Sequence, residues 1–153
     1  MTIVIDSLEQ MESVFHDIGA ALEKADYSDV LKQSQHDLAE QHAEMFAGQY
    51  DSNRNAWAPL AASTIKRKGH DRILVETGAL RDSLVTIGGP GNVHEAMQRG
   101  MVFGTDVEYA LFHQTGTSRM PARPPVGMAE ETLDKLANRI ADRTVEILVE
   151  SGS

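Results

Sequence analysis

Three prolines within five residues constrain the fold of this chain more than any other feature. Pro121, Pro124 and Pro125 all lie between residues 118 and 127. Proline lacks the backbone N–H that helices and sheets use, and its ring blocks the carbonyl of the preceding helical turn. Segment 118–127 therefore belongs neither in a helix interior nor in a central strand. We predict a Pro-rich contact loop that is presented to a partner.

The segments at both ends of the chain carry the apolar period of amphipathic helices. Residues 7–24 repeat apolar side chains at steps of three and four, which places these side chains on one helix face. Ser28 is predicted to cap a second helix that ends near Gly48. A third helix is predicted over residues 129–150. In the second helix the stripe of apolar side chains is interrupted by three polar residues, Ser34, Gln35 and Gln41.

The middle of the chain, residues 73–117, has the composition of short strands. Strands are predicted at 83–87, 101–105 and 107–111, and Gly88–Asn92 is a strong turn signal. These runs are too closely spaced for helical crossovers, so we expect an antiparallel meander. The order of elements predicts an α+β fold, in which a small antiparallel sheet packs with two N-terminal helices and a C-terminal helix.

The Pro-rich loop and the aromatic run before it carry side chains that are typical of protein interfaces. Arg and Met are enriched where proteins meet. Arg123 is held between two prolines, which lowers the entropy cost of using it as an anchor. The alternative interpretation is a purely structural turn. The predicted protein-contact residues are Tyr109, His113, Arg119, Met120, Arg123 and Pro124.

Five other residues are predicted to have structural roles. Trp57 is expected to close the helical layer over the sheet, because large aromatic side chains bury most of their area; the alternative is a partner-facing anchor. Thr77 and Gly78 are predicted to open a short helical turn that includes Leu80, with Thr77 as the hydroxyl cap. Gly116 is predicted to close the strand run before the Pro-rich loop.

Charge is distributed unevenly along the chain. The formal net charge is -9, which disfavours nucleic acid as a partner, because binding to phosphates depends on Lys and Arg. Acids dominate the predicted helices at both ends. A local basic patch on an acidic body is typical of a contact with an acidic partner, although a solvated linker has the same composition. The basic cluster comprises Lys66, Arg67, Lys68, His70 and Arg72.

The sequence carries none of the recognisable spacings of an enzyme. The chain has no cysteine, and no two of its six histidines are four residues apart, so we predict neither a metal site nor a cofactor. Nucleophile elbow, phosphate loop and dinucleotide fingerprint are also missing. Residues 1–6 lack a basic start, and no run approaches about eighteen apolar residues, so neither a signal peptide nor a membrane contact is expected. The length fits one domain over residues 1–153.

Two motifs carry a resemblance to a known family. The first begins Thr77-Gly78-Ala79-Leu80, downstream of Trp57, and the second is Tyr109-Ala110-Leu111-Phe112-His113-Gln114-Thr115-Gly116-Thr117 with Pro121-Ala122-Arg123-Pro124 behind it. Their order resembles the phage virion morphogenesis family of Mu-like and P2-like tailed phages. The second motif is also similar to head-tail joining and tail-terminator families of lambdoid phages. Pro125-Val126 departs from the usual large apolar residue at this point.

The resemblance implies a structural protein and not an enzyme. Its members are described as tail-completion or neck proteins, so the implied function is assembly of a tailed phage or prophage for head-tail joining. A head-closure or tail-terminator connector is the alternative, and a small phage hydrolase or lysis factor using His113 is a weaker one. The implied partners are further copies of the chain in a ring and other tail or neck proteins. The implied location is the bacterial host cytoplasm during assembly, with the virion as a further possibility.

Overall fold

The computed structural model describes residues 7–151 as a helical layer against one β-hairpin. Residues 1–6 and 152–153 lie outside the described residues, so the expectation made for residues 1–6 is not addressed. The elements in chain order are α1 (Leu8–Glu23), α2 (Ser28–Gly48), α3 (Ala62–Lys68), α4 (Ala79–Val85), β1 (Asn92–Ala96), β2 (Met101–Thr105), α5 (Ala110–Thr115) and α6 (Glu130–Ser151). The predicted α+β class is confirmed.

The three long helices lie where their apolar periods predict them. Ser7 caps α1, and its Oγ accepts the Gln10 N–H at 3.2 Å. The predicted cap of α2 is wrong by position, because Ser28 is the first helical residue and Tyr27 occupies the cap without a side-chain bond. Asp26 Oδ1 accepts the Ser28 N–H at 2.8 Å instead, so the capping acceptor lies one residue before the cap position.

The sheet is a single antiparallel hairpin within the described residues, not the predicted meander. β2 confirms the predicted strand at 101–105, and it pairs with β1 in the register Asn92↔Thr105 to Ala96↔Met101. Sequence reasoning missed β1, because its segment Asn-Val-His-Glu-Ala overlaps the turn signal and has little strand character. The hairpin lies against α2, whereas α1 packs on α6.

Two predicted strands are helices. The predicted strand 83–87 is largely α4, because Leu80 and Leu84 are four residues apart and helical geometry buries both in the core. The predicted strand 107–111 runs instead into α5, which Thr105 helps to start by accepting the Val107 N–H at its Oγ1. Only Ala110 of α5 is buried, so the aromatic residues that suggested a strand lie largely outside the core.

The hydrophobic core lies between α2, α4 and the loop that follows α2. Trp57 is buried and packs edge-on against Phe46, with ring centroids 5.4 Å apart. The predicted structural role of Trp57 therefore agrees with its position. Leu80, another predicted structural residue, is among the most buried side chains. The buried cluster comprises Met45, Phe46, Trp57, Ile73, Leu80, Leu84 and Ala110.

Two of the polar residues that interrupt the apolar stripe of α2 are buried, Ser34 and Gln35. Gln35 Nε2 donates to the carbonyls of Glu95 at 2.8 Å and Val102 at 3.0 Å, which ties both strands of the hairpin to the helix. Ser34 is also buried and donates its hydroxyl to the Val30 carbonyl at 2.9 Å. Both of these buried side chains therefore have hydrogen-bond partners, as burial in a low-dielectric interior requires.

Side chains hold the Pro-rich segment in place of a backbone ladder. Gln114 bonds Val126 twice, donating from Nε2 to its carbonyl at 3.0 Å and accepting its N–H at Oε1 at 3.1 Å. Trp57 Nε1 donates to the Pro124 carbonyl at 3.1 Å. Pro125, the departure from the usual large apolar residue, is fully buried. This part of the segment is consequently core structure.

Helix α2 holds the end of the same segment just before α6. Gln41 Nε2 donates to the Gly127 carbonyl, and its Oε1 accepts the Ala129 N–H, both at 2.8 Å. The buried His42 has Nδ1 2.6 Å from the Leu38 carbonyl and Nε2 3.5 Å from the Gly127 nitrogen. A neutral imidazole with its proton on Nδ1 satisfies both neighbours, because Nδ1 then donates and Nε2 accepts.

We predict that acidification destabilises the protein through His42. Burial lowers the pKa of His42, and its hydrogen bond with Leu38 opposes this only partly. As the pH falls through about 6.5, His42 becomes protonated in the unfolded chain but stays neutral in the folded chain. The free energy of unfolding therefore falls. Thermal denaturation between about pH 7.5 and about pH 5.5 measures this loss, at about 2–4 °C for each 1 kcal/mol.

His42→Gln should make this pH dependence shallower. His36→Gln is the control, because His36 lies exposed on the same helix and its replacement should leave the dependence unchanged. An unchanged slope in His42→Gln would show that this imidazole is not held neutral by the fold.

Candidate functional site

A groove of about 920 Å³ opens between the loop and helix at residues 59–77 and the segment at residues 109–123. This groove, called the basic groove below, is formed by residues that are distant in sequence but brought together by the core. Its lining residues are Pro59, Leu60, Ala61, Thr64, Arg67, Lys68, Leu74, Val75, Glu76, Thr77, Tyr109, His113, Arg119, Met120, Pro121 and Arg123.

Helix α3 supplies one wall of the basic groove. Thr64, Arg67 and Lys68 lie three and four residues apart, so a helix presents all three on one face. Gly69 ends the helix in the left-handed conformation at φ 77°, where glycine carries no steric penalty. The basic cluster of the sequence therefore lies mainly on and after a helix that its periodicity did not reveal.

The opposite wall comes from α5 and the turn after it. Tyr109 and His113 are four residues apart, and their rings meet edge to face with centroids 5.9 Å apart. Gly116 ends α5 at φ 72°, and a Cβ there would meet the Ala122 nitrogen at 2.7 Å. Gly116 thus closes a helix, not the predicted strand. The turn that follows carries Arg119 and Met120 into the groove.

Arg123 forms part of the groove and also holds it together. Its side chain is only 6% exposed, and its guanidinium donates from Nε to the Ala58 carbonyl at 2.6 Å and from Nη2 to the Pro59 carbonyl at 2.9 Å. Its backbone N–H donates to the His113 carbonyl at 2.8 Å. Arg123 therefore joins the two walls, and the expected exposed anchor is a buried cross-link.

The groove is positively charged although the chain is acidic. Four cationic side chains line it, and Glu76 is the lining acid. Arg67 Nη1 donates to Glu76 Oε1 at 2.5 Å, and this bond lowers the pKa of Glu76. Burial lowers the pKa of Lys68, with Glu76 opposing the shift. The cations are Arg67, Lys68, Arg119 and Arg123.

His113 is held neutral in the groove. Burial lowers the pKa of its imidazole, and the nearby charges of Arg123 and Lys68 lower it further. Its Nδ1 is buried and has no hydrogen-bond partner in residues 7–151. Glu130 and Glu131 begin α6 and do not line the groove, so neither carboxylate stands beside His113 there. The lining suits binding of an acidic and apolar surface more than acid–base chemistry.

The structure brings most of the predicted contact residues together. Five of them line the basic groove: Tyr109, His113, Arg119, Met120 and Arg123. Pro124 is half-buried behind the groove, with its carbonyl bound by Trp57. Thr77, predicted as structural, also lines the groove and accepts the Ala79 N–H at Oγ1 at 3.3 Å, beside Gly78 at φ 90°. A role in partner contact stays a prediction for all of them.

Sequence reasoning missed the apolar side of the groove. Leu60, Leu74 and Val75 lie in irregular segments whose composition carries no interface signal. For the wall formed by α3, the basic cluster at residues 66–72 was the sequence feature that indicated a contact surface. Within residues 7–151, no group of His, Asp and Glu is arranged to hold a metal ion. The helices of this region also lack the combined length and hydropathy of a membrane span.

Comparison with known families decides what kind of protein carries this groove. The model described as the phage virion morphogenesis family matches residues 6–145. The chain belongs to the phage virion morphogenesis family. The match covers both walls of the basic groove, and it confirms the family that the motifs between Trp57 and Gly127 indicated. The searches of curated proteins and of solved structures returned no match.

We predict that Arg123→Ala destabilises the fold. The change removes two charge-assisted hydrogen bonds and leaves the carbonyls of Ala58 and Pro59 without these donors. The expected loss is about 1–3 kcal/mol in the free energy of unfolding. Arg119→Ala is the matched control, because it removes the same charge from an exposed position and should cost within about 0.5 kcal/mol. Urea denaturation measures both, and equal stabilities would contradict the cross-linking role of Arg123.

Proposed function

We propose that this member of the phage virion morphogenesis family completes the tail or neck of a tailed phage or prophage before head-tail joining. One observation supports this most directly: an acidic chain carries a basic groove whose walls include the family's own motif from Tyr109 to Arg123. The groove would bind a protein surface by shape and charge, without chemistry. The protein would act in the cytoplasm of the bacterial host.

The partner surface should be acidic with apolar side chains. Complementary charge orients two proteins and speeds their encounter, while apolar contact supplies most of the affinity. The basic groove offers both, because Lys68 and Arg119 stand beside Leu60, Leu74 and Met120. Such a surface fits a neighbouring subunit in a ring or another tail or neck protein.

Deletion of the gene tests this function. Under the proposal, electron microscopy of the lysate shows DNA-filled heads beside unattached tails with irregular ends. Heads that have lost their DNA beside complete tails would instead favour a head-closure connector. Normal virions trapped in unlysed cells would contradict a structural role and favour a lysis factor.

A point variant tests whether the groove carries the function. We predict that Arg119→Ala combined with Met120→Ala leaves the chain folded but prevents complementation of the deletion, because both side chains line the groove. Arg54→Ala with Met97→Ala is the matched control, since both residues are exposed and neither lines the groove. Phage titre measures complementation, and circular dichroism verifies folding. Full titre with the Arg119 and Met120 pair would contradict the assigned contact surface.

A further inference from the structure

We propose that the basic groove binds helix α1 of a second copy of this chain. The inference rests on the proposed function and deepens it, because it names the surface that enters the groove. Neighbouring copies would then contact each other head-to-tail, with α1 of one copy inserted into the basic groove of the next.

Helix α1 is an amphipathic helix with an unused apolar edge. None of its residues, Leu8–Glu23, is buried in the chain, although it packs on α6. Leu8 is 72% exposed and Phe15 is 63% exposed. Because these two residues are seven apart, a helix places them on the same side. Together they form an exposed apolar edge, and exposed apolar patches mark interaction surfaces.

Acidic side chains flank this edge. Glu12 lies four residues after Leu8 and three before Phe15, so it stands between them on the helix surface. Glu9 is exposed next to it. The edge of α1 is therefore both apolar and negatively charged, which complements a groove that is apolar and positively charged.

The groove has the complementary surface. Lys68 and Arg119 supply positive charge, and Leu60, Leu74 and Met120 supply apolar area. The stretch from Leu8 to Phe15 is about 11 Å long at 1.5 Å per residue, so two helical turns suffice to present both anchors. Insertion would bury Phe15 and set Glu9 and Glu12 beside the cations at the rim.

An α1 helix that fills the groove must come from another copy in the arrangement that the structure shows. Within the chain, α1 lies along α6, and Arg99 donates to the Leu22 carbonyl near its C-terminal end. No residue of α1 lines the groove formed by the described residues. Helix α1 and the basic groove are thus different surfaces of one subunit. Such heterologous contacts close into a ring when the rotation between copies permits it.

Charge reversal on each side tests the contact. We expect the purified chain to self-associate in sedimentation velocity. Glu9→Lys with Glu12→Lys, or Lys68→Glu with Arg119→Glu, should each shift it to monomer, because like charges then meet. All four changes in one chain should restore association. Lys32→Glu with Lys135→Glu is the control for net charge, since both are exposed and lie outside the groove.

The apolar edge has its own test. Leu8→Ala with Phe15→Ala should abolish association while leaving thermal stability unchanged, because both side chains are exposed in the isolated chain. Leu133→Ala with Val145→Ala is the matched control on α6 and should associate normally. A loss of stability in the α1 variant, or wild-type association, would overturn the inference.

The outcomes separate this inference from the proposed function. Three results would each overturn the α1 contact. The wild-type chain could stay monomeric, the charge-reversed variants could still associate, or the variant with all four substitutions could remain monomeric. If the reversed groove variant associates normally but fails to complement the deletion, the groove binds another virion protein and the assembly function stands. If the deletion yields normal virions, the assembly function itself fails.

Discussion

Hydrogen bonds from side chains to the backbone of the Pro-rich segment are the constraint on which the rest of the structure depends. A segment with three prolines has no ladder of its own, yet buried backbone groups need partners. Gln114, Trp57 and Gln41 supply them at Val126, Pro124 and Gly127. These bonds join α5, the loop after α2 and α2 itself. Polar side chains of α2 therefore hold these segments together, in addition to its apolar stripe.

The same constraint shapes the basic groove. Because Pro124 and Val126 are fixed behind it, Arg123 is held where its guanidinium reaches the carbonyls of Ala58 and Pro59. The two walls then keep a fixed separation, and the exposed Arg119 and the half-buried Met120 line the groove. A rigid acceptor loses little entropy on binding. The buried Arg123 fixes the groove, and the exposed Arg119 is free to contact a partner. This arrangement supports a docking surface for the proposed assembly function.

The sequence predicted the fold where a pattern extended over many residues. Long stripes gave α1, α2 and α6, and the β-prone run at 101–105 gave β2. Two of the three short predicted strands failed, because a five-residue run fits either period: residues 83–87 were taken for a strand, whereas 83–85 continue the helix that begins at Ala79. Arg123 was expected as a contact anchor because it lies between two prolines, and only long-range packing shows that it is buried. The groove depends on the contacts of Arg123 with Ala58 and Pro59, which are 65 and 64 residues away in sequence, and no local pattern reveals them.

Hydrogen exchange at single amides tests the central claim most directly. The account predicts slow exchange, comparable with the core of α2, at the Arg123, Val126 and Ala129 amides, because each donates to a partner that the fold holds in place. Ser118, exposed in the turn before them, should exchange fast. Fast exchange across residues 123–129 would contradict the account, since the Pro-rich segment would then be a mobile loop and the groove would have no fixed wall.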